Sequence, residues 1–184
     1  MAKRHALVAL ALAISITPTM AEDMPSLPDS QKTPGAVLEL VPDAKTATCL
    51  KDLIGGSVKP GDTITLAMIC TDGYTKCIRD VSDETKKKVY ESYGLAGEHT
   101  GYCKSKQGCE VDHLISLEIG GSNDEKNLWP EPYEGEVLNA HVKDQLEKWL
   151  HNAACTGQMS LKDAQKEIST NWVDAFRKHI GEPH

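Results

Sequence analysis

Residues 110–143 place an adjacent carboxylate and imidazole ahead of several amides and a second imidazole. Asp112 and His113 open an apolar stretch, and Asn127, Asn139 and His141 follow it. An imidazole with a pKa near 6.5 can take a proton from water at neutral pH, and a carboxylate can bind a divalent cation. Hydrolysis of a phosphodiester needs both, because water must be activated and the pentavalent phosphate stabilised. The segment therefore predicts a hydrolytic site.

Two strands and a helix must position these side chains. Apolar residues at 111, 115, 117 and 119 predict a strand over 111–119 with one buried face. A Gly-Gly pair at 120–121 favours a tight reversal, and residues 127–129 predict a short returning strand. An apolar stripe at helical spacing predicts a helix over 137–153. The predicted order is strand, strand, helix.

This order resembles the HNH, or ββα-metal, nuclease motif over residues 110–144. After residue 21 the chain is also similar to a family of small exported bacterial HNH-containing proteins. The resemblance implies an α+β fold: a ββα-metal core at about 110–153, additional N-terminal strands and C-terminal helices, stapled by disulfides. The shared segments are Ile69-Cys70, Gly73-Tyr74-Thr75, Arg79-Asp80, residues 112–115, residues 127–132, and Lys143-Asp144 with Glu147.

The motif implies a role for each of its first three polar residues. His113 is predicted to be the general base, Asn127 to fix the orientation of that histidine, and Asp112 to be the first metal ligand. A hard oxygen ligand favours Mg²⁺, Mn²⁺ or Ca²⁺, and a histidine partner would also admit Zn²⁺ or Ni²⁺. We expect Mg²⁺. The alternative for His113 is a structural histidine beside a strand, and the alternative for Asp112 is an acid at a strand edge.

The second metal ligand is predicted at the start of the helix, where Asn139 and His141 both qualify. They cannot easily share a face at a spacing of two. With the helix core at 142, 146 and 149, Asn139 falls on the flank that carries Lys143 and Glu147, and His141 on the opposite flank. Asn139 is preferred for this reason, and His141 stays the alternative.

Lys143 and Arg79 are the predicted substrate contacts. Lys143 can meet a phosphate as a point charge, or it can pair with Glu147 four residues on. Arg79 can hold a phosphate with two donors, or it can pair with Asp80 or Asp83.

The rest of the chain predicts a short strand at 38–41, a strand at 63–70 and a helix after residue 80 that Ser82 or Asp83 caps. Ser160 is predicted to cap a further helix over 161–169, and a further helical segment is predicted through Trp172 and Phe176. The few aromatic residues, Trp129, Trp149, Trp172 and Phe176, are expected to anchor the core.

The first 21 residues are predicted to be a secretory signal peptide. Two basic residues precede the apolar run 6–16, and small residues at 19–21 suit a cleavage site. Residues 22–45 predict an extended lead-in, and 46–184 a single domain. No later stretch is long and apolar enough to span a bilayer, so we expect no membrane insertion of the mature chain, in the periplasm or the extracellular space.

The chain has six cysteines, an even number that suggests disulfides in an exported protein. Six cysteines allow fifteen pairings, and the short loops Cys70 to Cys77 and Cys103 to Cys109 are plausible. A zinc site is the weaker alternative, because the sequence has no CxxC pair.

The formal net charge of the chain bears on two opposing expectations of function. Removal of the leader takes the formal net charge from −7 to −9, because the leader carries two basic residues and no acidic one. That charge disfavours non-specific binding to a polyanion, and a metal cation would offset it. We expect an exported, metal-dependent endonuclease for DNA, with RNA as the alternative substrate and little sequence preference. The opposing expectation is a non-catalytic envelope scaffold that binds a protein or a peptidoglycan-associated partner.

Overall fold

The computed structural model describes residues 27–95, 108–133 and 138–183. Over these ranges the mixed α+β class expected from the sequence is confirmed. One two-stranded antiparallel sheet is surrounded by helices. The elements are α1 (Ala44–Ile54), α2 (Leu66–Ile69), α3 (Tyr74–Ile78), α4 (Asp83–Ser92), β1 (Cys109–His113), β2 (Leu128–Pro132), α5 (Ala140–Cys155) and α6 (Leu161–His179), with 3₁₀ turns at Leu117–Ile119 and Glu125–Asn127.

The sheet ends where the candidate site begins. Asp112 pairs with Trp129, and His113 pairs with Leu128 at the last position of β1. The strand predicted over 111–119 is therefore wrong in its second half, where residues 117–119 form a 3₁₀ turn. The Asn127 side chain satisfies both backbone groups of Ile115 at 2.9 Å, so no neighbouring strand is needed there.

The expected N-terminal strands are also largely wrong. Residues 38–41 and 63–70 contribute only the isolated bridge between Leu40 and Thr63, and a second isolated bridge joins Val37 to Gly121. The predicted strand 63–70 becomes helix α2 because the Thr65 hydroxyl accepts a hydrogen bond from Met68 N at 3.3 Å and so caps a helical turn. The described lead-in, residues 27–43, lies along the domain, and Thr33 Oγ1 donates to Leu128 O at 2.9 Å.

The later helices follow the predicted caps. Ser82 caps α4 by accepting from Thr85 N at 3.1 Å, and Ser160 caps α6 by accepting from Asp163 N at 3.1 Å. Helix α6 runs from Leu161 to His179, with a break in helical geometry at Asn171 between the predicted helix and the predicted segment through Trp172 and Phe176. None of the helices that the structure describes is long and apolar enough to cross a membrane.

Disulfides join the N-terminal helices to each other and to α5. Cys49 pairs with Cys77, and Cys70 pairs with Cys155, with Cα separations of 5.5 and 5.7 Å. The suggested pair of Cys70 with Cys77 is therefore wrong. Cys77 bonds α3 to α1, whereas Cys70 bonds the end of α2 to α5. Cys109 is also disulfide-bonded. Its suggested partner, Cys103, lies outside the described residues.

The main core lies between β2, α5 and α6. Trp129, Trp172 and Phe176 are almost completely buried there, as expected, whereas Trp149 is only partly buried. A second core packs α1 against α3 around Leu50 and Tyr74. The turn after β1 contributes Leu114 to the first core and Leu117 to the second, so the candidate site lies beside both cores.

Candidate functional site

The candidate site is a cavity of about 250 Å³ between α3, the end of β1 and the first two turns of α5. Asp112 and His113 both line it although they are neighbours on a strand. Strand residues alternate between faces, but β1 ends at His113 and the chain turns there. The cavity is strongly polar, and its acidic, histidine and arginine lining groups are Glu110, Asp112, Glu118, Asp144, Glu147, His113, His141 and Arg79.

His113 is only 3% exposed, and its imidazole is held by Asn123. Its Nε2 lies 3.1 Å from Asn123 Oδ1. Asn123 Nδ2 donates to the Ile78 carbonyl at 2.7 Å, which fixes the amide so that its oxygen faces the ring. An oxygen can only accept, so Nε2 carries the ring hydrogen in the neutral imidazole. Nδ1 is then the basic nitrogen.

Burial lowers the pKa of His113 below its usual value. The negative charge of Asp112 and the hydrogen bond to Asn123 act in the opposite direction, but they do not outweigh the loss of hydration. The imidazole is therefore neutral at pH 7 and free to accept a proton.

Asn127 holds the loop that follows His113. Among the described residues, its side chain accepts from Ile115 N and Ala36 N and donates to Ile115 O and Ser122 O. These four bonds use all the donors and lone pairs of the amide. Asn127 thus influences the position of His113 only through the backbone that follows the histidine. The contact with the ring belongs to Asn123, which the sequence analysis did not single out.

Lys143 lies inside the protein and not in the cavity wall. Its side chain is 1% exposed, and Nζ donates to Asp112 Oδ2 at 2.5 Å, to His113 O at 2.8 Å and to Glu147 Oε1. An ammonium has three donors, so all are used. The predicted phosphate contact of Lys143 is therefore wrong, and the alternative pair with Glu147 is confirmed.

The buried charges fix one another's protonation. Burial alone would lower the pKa of Lys143, but Asp112 and Glu147 hold it well above its usual value. Burial raises the pKa of Asp112, and the opposing charge of Lys143 outweighs this, so the pKa ends below its usual value. Burial raises the pKa of Glu147 to about 7 despite Lys143. Asp112 is thus ionised at neutral pH, and Glu147 is partly protonated.

Glu131 is a buried acid beside Asp112 that sequence analysis missed. It is 1% exposed, and burial raises its pKa well above the usual value. Neither of its carboxyl oxygens has a hydrogen-bond partner among the described residues, and both burial and the negative charge of Asp112 favour the neutral acid. Period-two alternation offered a signal, because Glu131 and Asp112 lie on the same face of the β1–β2 ladder.

The two candidate helix ligands have different places. Asn139 is the N-cap of α5, where its side chain accepts from Val142 N at 3.2 Å, and it does not line the cavity. His141 lines the cavity, with its ring edge against Tyr133 at a centroid distance of 4.7 Å. The structure therefore places His141, and not the preferred Asn139, in the cavity wall, and the choice of ligand stays a prediction. Within the described ranges, no three acidic, histidine or cysteine side chains form a ready-made metal cluster.

Arg79 directly follows α3 and lines the same cavity. Within the part of the chain that the structure describes, it forms no ion pair, and Asp83 pairs with Lys86 instead. The expected alternative pairs with Asp80 and Asp83 are thus not formed, and the guanidinium is available to an anion.

A neutral imidazole, an ionised carboxylate, a second imidazole and a guanidinium therefore surround one cavity. Such a set can activate water beside a group that carries negative charge. Comparisons of the chain with protein-family models, with curated proteins and with solved structures found no match.

Proposed function

We propose that the chain is an exported endonuclease of the HNH type that hydrolyses phosphodiester bonds with the help of a divalent cation. The observation that carries the proposal is that His113, Asp112, His141 and Arg79 line one cavity. The order β1, β2, α5 supports the resemblance to a ββα-metal module. DNA is the expected substrate and RNA the alternative, with little sequence preference.

His113 acts as the general base in this proposal. Its Nδ1 takes a proton from the attacking water, while Asn123 keeps the hydrogen on Nε2 and holds the ring in place. The imidazolium that results is stabilised by the negative charge of Asp112, which favours the protonated form. Because burial lowers the pKa of His113, the base is in its neutral form at pH 7.

Asp112 and His141 are the residues that would hold the cation. The Asp112 carboxylate is 22% exposed, and Lys143 contacts only its Oδ2 in the described structure. One carboxylate and one imidazole suit a largely hydrated Mg²⁺, and the imidazole also admits Mn²⁺, Zn²⁺ or Ni²⁺. A bound divalent cation would supply positive charge to the phosphate and to the leaving oxygen.

Arg79 is the group in the cavity wall that would hold the substrate phosphate. Its guanidinium can donate to two phosphate oxygens at once, and no carboxylate competes for it among the described residues. Export is supported by the two disulfides, because such bonds persist in oxidising compartments. The periplasm and the extracellular space both meet this condition.

A second candidate function is a non-catalytic envelope scaffold. The observation in its favour is the acidity of the cavity, which five carboxyl side chains line against one permanent cation, Arg79. The Lys143 ammonium is paired with Asp112 and Glu147 inside the protein, so it does not contact a ligand in the cavity. In this case the cavity would repel nucleic acid and the buried network would serve stability alone.

One experiment separates the two candidates. Oxidised protein is incubated with supercoiled plasmid, or with single-stranded DNA or RNA, in Mg²⁺, in Mn²⁺ or in EDTA. We expect cleavage that needs the metal and is lost in His113→Ala. His179→Ala is the matched control, because His179 lies away from the cavity, stacked on Trp149. Absence of cleavage in every metal would favour the scaffold, and cleavage retained by His113→Ala would exclude the proposed base.

A further inference from the structure

We infer that a second cavity beside the candidate site binds the nucleotide that flanks the scissile phosphodiester, so that the substrate is a single-stranded polynucleotide. This inference rests on the proposed function and names the substrate class of the same site. The second cavity, of about 330 Å³, shares Thr75 and Glu118 with the first. The two cavities are therefore neighbouring parts of one groove.

Helix α5 runs through both parts of this groove. His141, Asp144 and Glu147 line the first cavity, and Lys148, His151 and Asn152 line the second. Asp144 and Lys148 are four residues apart, which corresponds to about 6 Å along a helix axis. A ligand that continues from the first cavity by one unit of an extended strand therefore reaches the second. The volume of the second cavity is at the lower end of the range for small-ligand sites, about 300–1,000 Å³. A cavity of this size suits one nucleoside.

The chemistry of the second cavity suits a nucleoside better than a phosphate alone. The carboxylates of Asp72 and Glu118 would repel a bare anion, but carboxylates accept hydrogen bonds from the amino groups of bases. Lys148 is exposed, forms no ion pair within the described residues, and can neutralise the adjoining backbone phosphate. A base enters such a cavity only when it is unpaired, so the inference selects single strands over duplexes.

The walls of the second cavity are fixed before any ligand binds. Cys70, directly after α2, is joined to Cys155 at the end of α5. The His151 ring donates from Nδ1 to the Glu118 carbonyl at 2.6 Å, which ties α5 to the 3₁₀ turn between the cavities. A preformed site loses less conformational freedom on binding, so even a few polar contacts can discriminate between ligands.

The test compares two substrates in Mg²⁺ or Mn²⁺: a single-stranded DNA octanucleotide and bis(4-nitrophenyl) phosphate, which has no flanking nucleotide. The readout is the ratio of their kcat/KM values. Lys148→Ala is expected to lower this ratio about fivefold at low salt and to reduce the salt dependence of octanucleotide cleavage. Lys162→Ala, an exposed lysine on α6, is the matched control and should leave the ratio unchanged.

The inference would be overturned if Lys148→Ala left the ratio of the two kcat/KM values unchanged. Equal cleavage of the octanucleotide and of its duplex would also overturn it. If the protein hydrolyses neither substrate, the proposed function fails, and the second cavity is tested by binding alone. Fluorescence anisotropy of a labelled octanucleotide in Mg²⁺ then decides. Weaker binding by Lys148→Ala than by Lys162→Ala supports the subsite, and equal binding removes it.

Discussion

Lys143 and Asp112 are separated by 31 positions in the sequence, yet the Lys143 ammonium donates to Asp112 Oδ2 at 2.5 Å in the interior of the protein. This ion pair joins helix α5 to the end of strand β1. The same ammonium donates a hydrogen bond to the His113 carbonyl. The position of the carboxylate and the backbone of the proposed base are thus set by one lysine. The first prediction concerns its removal.

Lys143→Met is expected to destabilise the protein by about 3–5 kcal/mol, because it leaves Asp112 and Glu147 buried without a counter-charge. The free energy of unfolding from urea titration measures this. Lys162→Met, on an exposed part of α6, is the control and should change stability by less than about 0.5 kcal/mol. A loss as small as that of the control would mean that the buried network does not hold the site together.

Glu147→Gln is expected to change how stability depends on pH. Burial raises the pKa of Glu147 to about 7 from an ordinary value of 4.5. The native state therefore holds this proton more tightly than the unfolded chain, and the associated stability is present below about pH 4.5 and lost as the pH rises through about 7.

Glutamine cannot titrate, so the variant should gain stability relative to the wild type as the pH rises from about 4.5 to about 8. The relative gain is on the order of 3 kcal/mol. Urea titrations of both proteins at several pH values measure the difference. Parallel pH curves for the two proteins would show that Glu147 does not titrate in this range.

Asn139→Ala and His141→Ala are expected to separate helix capping from metal binding. Loss of the N-cap in Asn139→Ala should cost about 1 kcal/mol of stability and leave the affinity for Mn²⁺ unchanged. His141→Ala should weaken Mn²⁺ binding in calorimetric titration with little effect on stability, because the side chain is exposed. The reverse pattern would restore Asn139 as the ligand.

Asn123→Asp is expected to raise the pKa of His113 by about one unit or more, because a carboxylate at this distance favours the imidazolium. Asn123→Leu should instead lower it further, since the hydrogen bond that the His113 ring donates to Asn123 helps to hold the pKa up. NMR titration of the His113 ring measures both values. Identical pKa values in the wild type and in Asn123→Asp would remove Asn123 from the account.

Local sequence patterns predicted the caps and the polar residues of the site better than their surroundings. Ser82 and Ser160 were predictable because a cap acts within three residues of its own position. Asp112 and His113 were predictable as members of one site because a short motif contains both. The end of β1 was not, because it depends on Asn127, which satisfies the Ile115 backbone from twelve positions away.

The burial of Lys143 could not be read from periodicity. A lysine on a helix is normally solvated, and only the fold shows that Asp112 and Glu147 together offset the cost of removing its charge from water. The same holds for Asn123, whose role depends on the Ile78 carbonyl supplied by α3. Helix α3 is itself positioned by the bond between Cys49 and Cys77, a pairing that spacing did not indicate.

The most direct measurement is the pH dependence of kcat/KM for a small phosphodiester, bis(4-nitrophenyl) phosphate, in Mg²⁺. If His113 is the general base, the rate rises with pH along a limb whose midpoint lies below 6.5 and equals the NMR pKa of His113, because burial lowers that pKa. His113→Gln should reduce the rate by about 10²–10⁴-fold and remove this limb. A limb that persists in His113→Gln with the same midpoint would contradict the assignment of the base.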